Sequence, residues 1–149
     1  MKLNELLKKE YTKLRFENVL IFLGALAVIL LLFFHFHPRT VTWTFDEEYI
    51  QLKGPFGSGA PVILYYDDIR SAEILDDFPV GEQVDGYAGK DVFFGTWENE
   101  EFGRYTLCIG LKCTDYIQIT TEEGIVVCNA ADEEETAAFC ETIRGKGIS

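Results

Sequence analysis

Histidine is scarce in this sequence, and the scarcity excludes several kinds of catalysis. The two histidines, His35 and His37, both lie at the end of one long apolar run. The rest of the chain therefore has no imidazole to act as the base of a Ser-His hydrolase. Ser58 is flanked directly by Gly57 and Gly59 and is not part of a Gly-x-Ser-x-Gly turn. We expect no enzymatic activity.

Basic residues are also few, and most of the chain is acidic. The sequence has 13 Lys and Arg against 25 Asp and Glu, a formal charge of −12. Residues 1–18 contain five of the basic residues and three Glu, so the remainder has eight basic and 22 acidic residues, a charge of −14. Nucleic acid is not expected as a partner, because a phosphate backbone is bound by a basic surface.

The four cysteines lack the spacing of a metal site. Cys108, Cys113, Cys128 and Cys140 follow one another at intervals of 5, 15 and 12 residues, without a Cys-x-x-Cys pair. We therefore expect no zinc, and no other metal or cofactor. In an oxidising compartment these residues permit one or two disulfides, whereas in a reducing one they are small buried side chains. The sequence leaves both alternatives open.

One long apolar run dominates the N-terminal part. Residues 19–36 contain no ionisable side chain except His35, and a helix of that length covers roughly 27 Å, close to the ~30 Å of a bilayer core. We predict a transmembrane helix over 19–37. The run ends in aromatic residues without a small-residue cleavage pattern, which favours an uncleaved anchor over a signal peptide. His35 and His37 are interpreted as interfacial anchors, not metal ligands.

The segment before the run, 1–18, is basic and amphipathic. Apolar residues recur at helical spacing, and four basic residues occupy the other faces: Lys8, Lys9, Lys13 and Arg15. This pattern predicts a helix on the membrane surface. Arg39 is the only basic residue in the fifteen or so positions after the run. The positive-inside rule therefore predicts a cytoplasmic N-terminus and an extracytoplasmic domain over 38–149.

After the run, the apolar period changes from helical to two. The alternation predicts strands at 40–45, 49–53, 62–66, 69–75, 104–110, 115–120 and 124–129. The last three are expected to form an antiparallel meander. Residues 76–103 are rich in Gly and Asp and are expected to be a long loop containing short strands at 92–94 and 96–97.

A helix is predicted at the C-terminal end. Asp132 is the expected N-cap, since three Glu follow it and favour the positive end of the helix dipole. Gly145 is the expected end of the helix. About seven strands followed by one helix predict an α+β domain, in which the helix caps a curved antiparallel sheet.

Several motifs within residues 40–145 resemble bacterial pleckstrin-homology-like domains. The segment 62–73, VILYYDDIRSAE, is similar to their strand followed by Tyr-x-Asp-Ile. Residues 95–97 and 103–107 resemble a Gly-x-aromatic pattern, and 116–136 resembles the final hairpin and acidic helix start. The resemblance implies a pleckstrin-homology-like barrel of about seven strands capped by a helix, often tethered to a membrane and without enzymatic activity. Phosphoinositide binding is not carried over, because Asp46, Glu47 and Glu48 occupy the first hairpin and repel an anionic headgroup.

Together these features predict a membrane-anchored, non-catalytic interaction or sensing module. Its partner is expected to be a protein, a peptide or a cation. The candidate interaction surface consists of aromatic residues that we expect to be exposed in the long loop: Phe93, Phe94, Trp97 and Phe102.

Two alternatives belong to other classes of protein. One is a module that binds the cytoplasmic membrane surface, which the charge of −14 over residues 19–149 disfavours because the inner leaflet is anionic. The other is a metal-assisted enzyme built on carboxylates such as Glu98, Glu100 and Glu101, which are otherwise interpreted as a solvated face.

Overall fold

The computed structural model describes residues 2–36 and 40–147. The chain divides into two compact units, Met1–His37 and Pro38–Ser149. In the first unit, one helix, α1, runs over Leu3–Phe36. Its 34 residues correspond to a length of about 51 Å, well above the ~30 Å of a bilayer core. The length and composition of α1 suit a single membrane span or a signal sequence.

The segment 1–18 and the apolar run, predicted as two elements, belong to one helix without a break. Neither Gly nor Pro occurs between Leu3 and Leu23, and most residues there have high helix propensity. The predicted end of the span includes His37, which lies outside the described residues together with Pro38 and Arg39.

The second unit contains nine strands and a C-terminal helix, which confirms the α+β class. The strands are β1 (Thr42–Phe45), β2 (Tyr49–Lys53), β3 (Val62–Tyr65), β4 (Ile69–Leu75), β5 (Glu82–Ala88), β6 (Val92–Asn99), β7 (Gly103–Gly110), β8 (Tyr116–Thr121) and β9 (Ile125–Cys128). The helix α2 covers Glu133–Gly147, and a 3₁₀ turn, Tyr66–Asp68, joins β3 to β4.

The strands form two sheets of unequal size. The three-stranded sheet has the order β1-β2-β3, and the six-stranded sheet has the order β4-β8-β9-β7-β6-β5. All pairs are antiparallel except β7 with β9, which are parallel. The helix α2 packs against β4, β8 and the 3₁₀ turn.

Two expectations about this domain are wrong. Residues 76–103 are not a long loop, because most of them form the antiparallel pair β5–β6, with β6 continuous over Val92–Asn99. The last three strands are not a meander, since β9 lies between β8 and β7 and pairs with β7 in parallel. The β7–β9 pairing is long-range, and a local alternation pattern does not encode it. The β5–β6 pair is a local hairpin, but β5 is exposed along almost its whole length and so lacks the alternation of a half-buried strand.

Apart from its exposed edge strand β5, the six-stranded sheet is buried on both of its faces. Its inner face packs on the three-stranded sheet and α2 in the main core, which includes Ile50, Leu52, Phe94, Ile117 and Ile143. Its other face forms an outer core with the β4–β5 connection, which includes Phe78, Trp97, Tyr105, Leu107 and Val127. Neighbouring residues in one strand, such as Leu107 and Cys108, therefore belong to different cores.

A pair of glycines allows β5 and β6 to approach closely. Gly86 and Gly95 are directly opposite each other, with φ of +113° and +139°. A Cβ added to Gly95 would lie 2.5 Å from the carbonyl oxygen of Asp85. Only glycine fits this conformation at this distance without strain.

We expect Gly95→Ala to lower the free energy of unfolding by about 1–3 kcal/mol, because it adds both backbone strain and a steric clash. Urea denaturation of the full chain in detergent measures the change. Gly124→Ala is the matched control, since Gly124 has a φ of +147° but no atom within 4 Å of an added Cβ. Equal losses of unfolding free energy in the two variants would show that the close approach of β5 and β6 adds nothing to the destabilisation by Gly95→Ala.

Candidate functional site

The aromatic residues that were predicted to form an exposed interaction loop are buried or partly buried. Phe94 and Trp97 are each 2% exposed, and Phe93 and Phe102 are partly buried. Phe94 belongs to the main core, whereas Phe93 stacks on Trp97 in the outer core with ring centroids 5.6 Å apart. These side chains are buried because β6 is an inner strand of a sheet that is covered on both faces. The prediction that these four aromatic side chains form an exposed surface is therefore wrong.

The carboxylates considered for metal-assisted chemistry lie along an open groove. Glu82, Glu98, Glu100 and Glu101 line this groove, which has a volume of about 960 Å³. Glu98 accepts a hydrogen bond from Arg104 Nε at 3.1 Å and is thereby paired. Over residues 2–36 and 40–147, no group of three or more His, Cys, Asp or Glu side chains is placed to hold a metal ion.

A second cavity, of about 580 Å³, is more enclosed and combines aromatic walls with a polar floor. We name it the Trp43 cleft. It lies where β1, the end of β7, the β7–β8 connection and the start of α2 meet. Its principal lining residues are Trp43, Asp91, Lys112, Cys113, Asn129, Glu135 and Phe139.

Asn129 forms the floor of the Trp43 cleft and is almost fully buried, at 1% exposure. Its Oδ1 accepts a hydrogen bond from the Gly110 N–H at 2.7 Å. Its Nδ2 donates to the carbonyl oxygens of Gly110 and Cys113, at 2.9 and 3.3 Å. Its own carbonyl accepts from Trp43 Nε1 at 3.0 Å. One side chain and its backbone thus hold β1, β7 and the β7–β8 connection together.

Two hydrogen bonds from backbone N–H groups to side-chain carboxylates cap the start of α2 beside the cleft. Asp132 Oδ1 accepts from the Glu135 N–H at 2.8 Å, and Glu135 Oε2 accepts from the Ala131 N–H at 3.0 Å. The bond from the Glu135 N–H to Asp132 confirms Asp132 as the N-cap. Glu135 differs from the last residue of a capping box, because it bonds to the N–H before the N-cap and not to that of the N-cap itself. The helix continues to Gly147, two residues beyond the predicted end at Gly145.

Two aromatic rings, those of Trp43 and Phe139, form one wall of the cleft, and Phe45 contacts both of them without lining the cleft. The ring centroid of Phe139 lies 4.9 Å from that of Trp43 and 4.9 Å from that of Phe45. The Trp43 and Phe45 rings stack at 5.7 Å. At the rim, Lys112 and Glu135 are exposed. The cleft therefore offers an apolar surface bordered by charges of both signs.

The thiol of Cys113, which lines the cleft, is hydrogen-bonded within the fold. It is buried, donates to the Asp115 carbonyl at 3.3 Å and lies 3.4 Å from Thr136 Oγ1. Thr136 Oγ1 in turn donates to the Asp132 carbonyl at 2.6 Å and accepts from the Ala130 N–H at 3.0 Å. These hydrogen bonds connect the β7–β8 connection to the start of α2.

All four cysteines are buried free thiols in this structure. Cys108 and Cys128 are partners in the parallel register of β7 and β9, within the main core. Burial raises the pKa of both thiols above the ordinary value of 9.0. Burial also raises the pKa of Tyr105 to about 12. At a pH at which these groups would ionise in the unfolded chain, they therefore stay neutral in the folded domain.

This difference predicts a loss of stability at alkaline pH. Below the unfolded pKa of 9.0, the thiols are neutral in both the folded and the unfolded chain, and the domain keeps its full stability. As pH rises above 9.0, the unfolded chain ionises and becomes more favourable, so that stability is lost. For each buried thiol, we expect the free energy of unfolding to fall with a slope that is about half of its limit at the unfolded pKa of 9.0 and that approaches the limit of about 1.4 kcal/mol per pH unit about one pH unit higher. Urea denaturation of the full chain in detergent at several pH values between 8 and about 10 measures the slope.

Cys108→Ala provides the control for this pH dependence. The variant should show a shallower slope by the contribution of one thiol, whatever its stability at neutral pH. An unchanged slope would mean that Cys108 does not remain protonated in the folded domain at high pH.

Local sequence patterns contain no direct signal for the cleft. Trp43 and Asn129 lie in the predicted strands 40–45 and 124–129, and Phe139 lies in the predicted C-terminal helix. Trp43 and Asn129 are 86 residues apart in the chain and meet only through the fold. A polar Asn at the end of the apolar strand Ile125–Cys128 is the one local feature that could have indicated a buried hydrogen-bonding site.

The fold and the cleft define a general class: an α+β protein in which a long apolar N-terminal helix precedes a β-rich domain with a packed C-terminal helix. Comparisons of the chain with protein-family models, curated proteins and solved structures found no match. Function must therefore be inferred from the residues of the chain itself.

Proposed function

We propose that the protein is a membrane-anchored, non-catalytic module that binds a protein or peptide partner through the Trp43 cleft. The observation that carries the proposal is the combination of an aromatic wall with a floor whose polar atoms are hydrogen-bonded within the fold. Such a site gains binding energy mainly by burying apolar groups of a ligand. The motifs quoted above support a pleckstrin-homology-like identity for the domain.

The dimensions of the cleft suit a short peptide segment. Its volume of about 580 Å³ is within the ~300–1,000 Å³ of typical ligand sites. The Trp43 and Phe139 rings offer flat apolar contacts to a Leu, Phe or Trp side chain. Lys112 and Glu135, at the rim, can orient the peptide by pairing with its charges.

The helix α1 is the proposed membrane anchor. Its apolar window has a mean hydropathy of 2.5, and five basic residues precede residue 19. The positive-inside rule favours a cytoplasmic N-terminus and an extracytoplasmic domain. A charge of −14 over residues 19–149 disfavours an anionic lipid surface as the ligand of the domain.

The two tryptophans allow a direct test with an internal control. We would label the full chain in nanodiscs with ¹⁵N-tryptophan and add 9-residue Gly-Ser peptides that each carry a central Leu, Phe or Trp. We expect the indole N–H signal of Trp43 to shift with peptide concentration, because Trp43 lines the cleft. The signal of Trp97, in the outer core, should stay in place. Equal shifts of both signals, or none, would contradict binding in the cleft.

A charge reversal at the rim tests which residues recognise the ligand. Lys112→Glu should weaken binding of a peptide with an acidic flank about tenfold, because it replaces an attraction with a repulsion. Lys90→Glu is the matched control, since Lys90 is also an exposed lysine but does not line the cleft.

A further inference from the structure

The N-terminal half of α1 carries a heptad pattern on one face. The pattern alternates steps of three and four residues through Asn4, Leu7, Tyr11, Leu14, Asn18 and Ile21. In heptad notation Asn4, Tyr11 and Asn18 occupy a positions, and Leu7, Leu14 and Ile21 occupy d positions. The apolar members are exposed, with Tyr11 at 70% and Leu14 at 56%. Within the described part of α1, this stripe has no packing partner.

The charges beside the stripe have the order required for a parallel pair of helices. Glu10 precedes the a residue Tyr11 and so occupies a g position, and Arg15 follows the d residue Leu14 and occupies an e position. In a parallel pair, a g residue lies beside the e residue five positions later on the other helix. Glu10 would therefore meet Arg15 of the second copy.

An antiparallel pair would bring like charges together. It would place e positions beside e positions, so that Lys8 and Arg15 would repel, and g positions beside g positions, so that Glu10 and Glu17 would repel. Within the described helix, Glu10 and Arg15 form no ion pair with each other or with a neighbour. Their charges are thus available to a second helix.

Asn4 and Asn18 add a further requirement for register. An Asn at an a position can bond to the same Asn of the other helix in a two-stranded parallel pair, and it specifies this alignment at a cost in stability. Two such residues at 14-residue separation, in equivalent heptad positions, fix both the register and the number of strands.

We propose that α1 pairs in parallel with α1 of a second copy of this chain through the face from Asn4 to Ile21. The interaction goes beyond the proposed function and does not depend on the Trp43 cleft. Lys9 and Lys13 lie away from the seam, at f and c positions, and remain free to contact lipid headgroups. Two copies inserted in one membrane with the same orientation have parallel helices, as the proposal requires.

Single cysteine substitutions test the seam in membranes that contain the full chain. Leu14→Cys places a thiol in a d position, and Phe16→Cys places one in an f position on the opposite face. With a mild oxidant, we expect Leu14→Cys to form a disulfide-linked dimer at least tenfold more than Phe16→Cys. The unsubstituted chain is the background control, since its four cysteines are buried.

Charge exchange tests the parallel register. We expect Glu10→Arg to weaken association about tenfold, because each dimer exchanges two attractions for two repulsions. Adding Arg15→Glu to Glu10→Arg should restore association, which energy transfer between labelled copies in nanodiscs would measure. Equal cross-linking at residues 14 and 16, no cross-linking at residue 14, or a double variant that stays dissociated would each overturn the proposal. A monomeric helix lying on the membrane surface would give no cross-linking at residue 14.

Discussion

Phe94→Ala is expected to lower the free energy of unfolding of the β-rich domain by about 3–5 kcal/mol. The Phe94 side chain is 2% exposed and is the largest of the fully buried side chains. It extends from β6 into the main core between the two sheets. Its removal leaves a cavity that the surrounding strands cannot fill, because they are held by hydrogen bonds on both sides.

Thermal and urea denaturation of the full chain in detergent measure this loss, which should lower the melting temperature by about 10 °C or more. Ile63→Ala is the matched control, since Ile63 lies on β3 with 46% exposure and should lose less than about 1 kcal/mol. If Phe94→Ala kept its melting temperature but lost peptide binding, Phe94 would be a surface residue, as the sequence first indicated.

Asn129→Ala is expected to have an effect of similar size, about 3–5 kcal/mol, for a different reason. The substitution removes three hydrogen bonds that the Asn129 side chain makes with Gly110 and Cys113. The backbone groups left behind are buried at Cys113 and partly buried at Gly110, and water entering from the cleft is the replacement partner that can reach them. The loss of the floor should also abolish the shift of the Trp43 signal on peptide addition.

The same denaturation experiments test Asn129→Ala, with Gln83→Ala as the control. Gln83 also donates a side-chain hydrogen bond to a backbone carbonyl, that of Gly86 at 2.9 Å, but it is exposed to water. Its loss should change stability by less than about 1 kcal/mol, because water replaces the bond. A small effect at both positions would mean that Asn129 does not organise the cleft.

Local patterns predicted the elements that alternate cleanly. The strands at 49–53 and 69–75 were correct to the residue, and the acidic N-cap at Asp132 was confirmed. The β5 strand was missed because its sequence, EQVDGYA, has no buried face and contains Gly86. Phe94 and Trp97 were misjudged because a strand that is buried on both faces shows no polar alternation to indicate its inner side.

Non-local contacts account for the rest of the difference. The parallel pairing of β7 with β9 brings Leu107 beside Val127, and no turn signal between them specifies this partner. The Trp43 cleft likewise combines β1 with residues at the other end of the domain. Local alternation patterns indicated the strands other than β5, but they do not determine which strands are neighbours.

The contact between the two ends of the domain also sets an order of events during synthesis. Trp43 bonds to Asn129, and Arg144 Nε donates to the Ala72 carbonyl at 2.8 Å from 72 residues further along the chain. Strand β1 leaves the ribosome long before these partners are synthesised. Its apolar residues therefore stay exposed to solvent until α2 has been synthesised. A nascent chain that stops before Asn129 therefore has no cleft, and it becomes a substrate for chaperones and proteases.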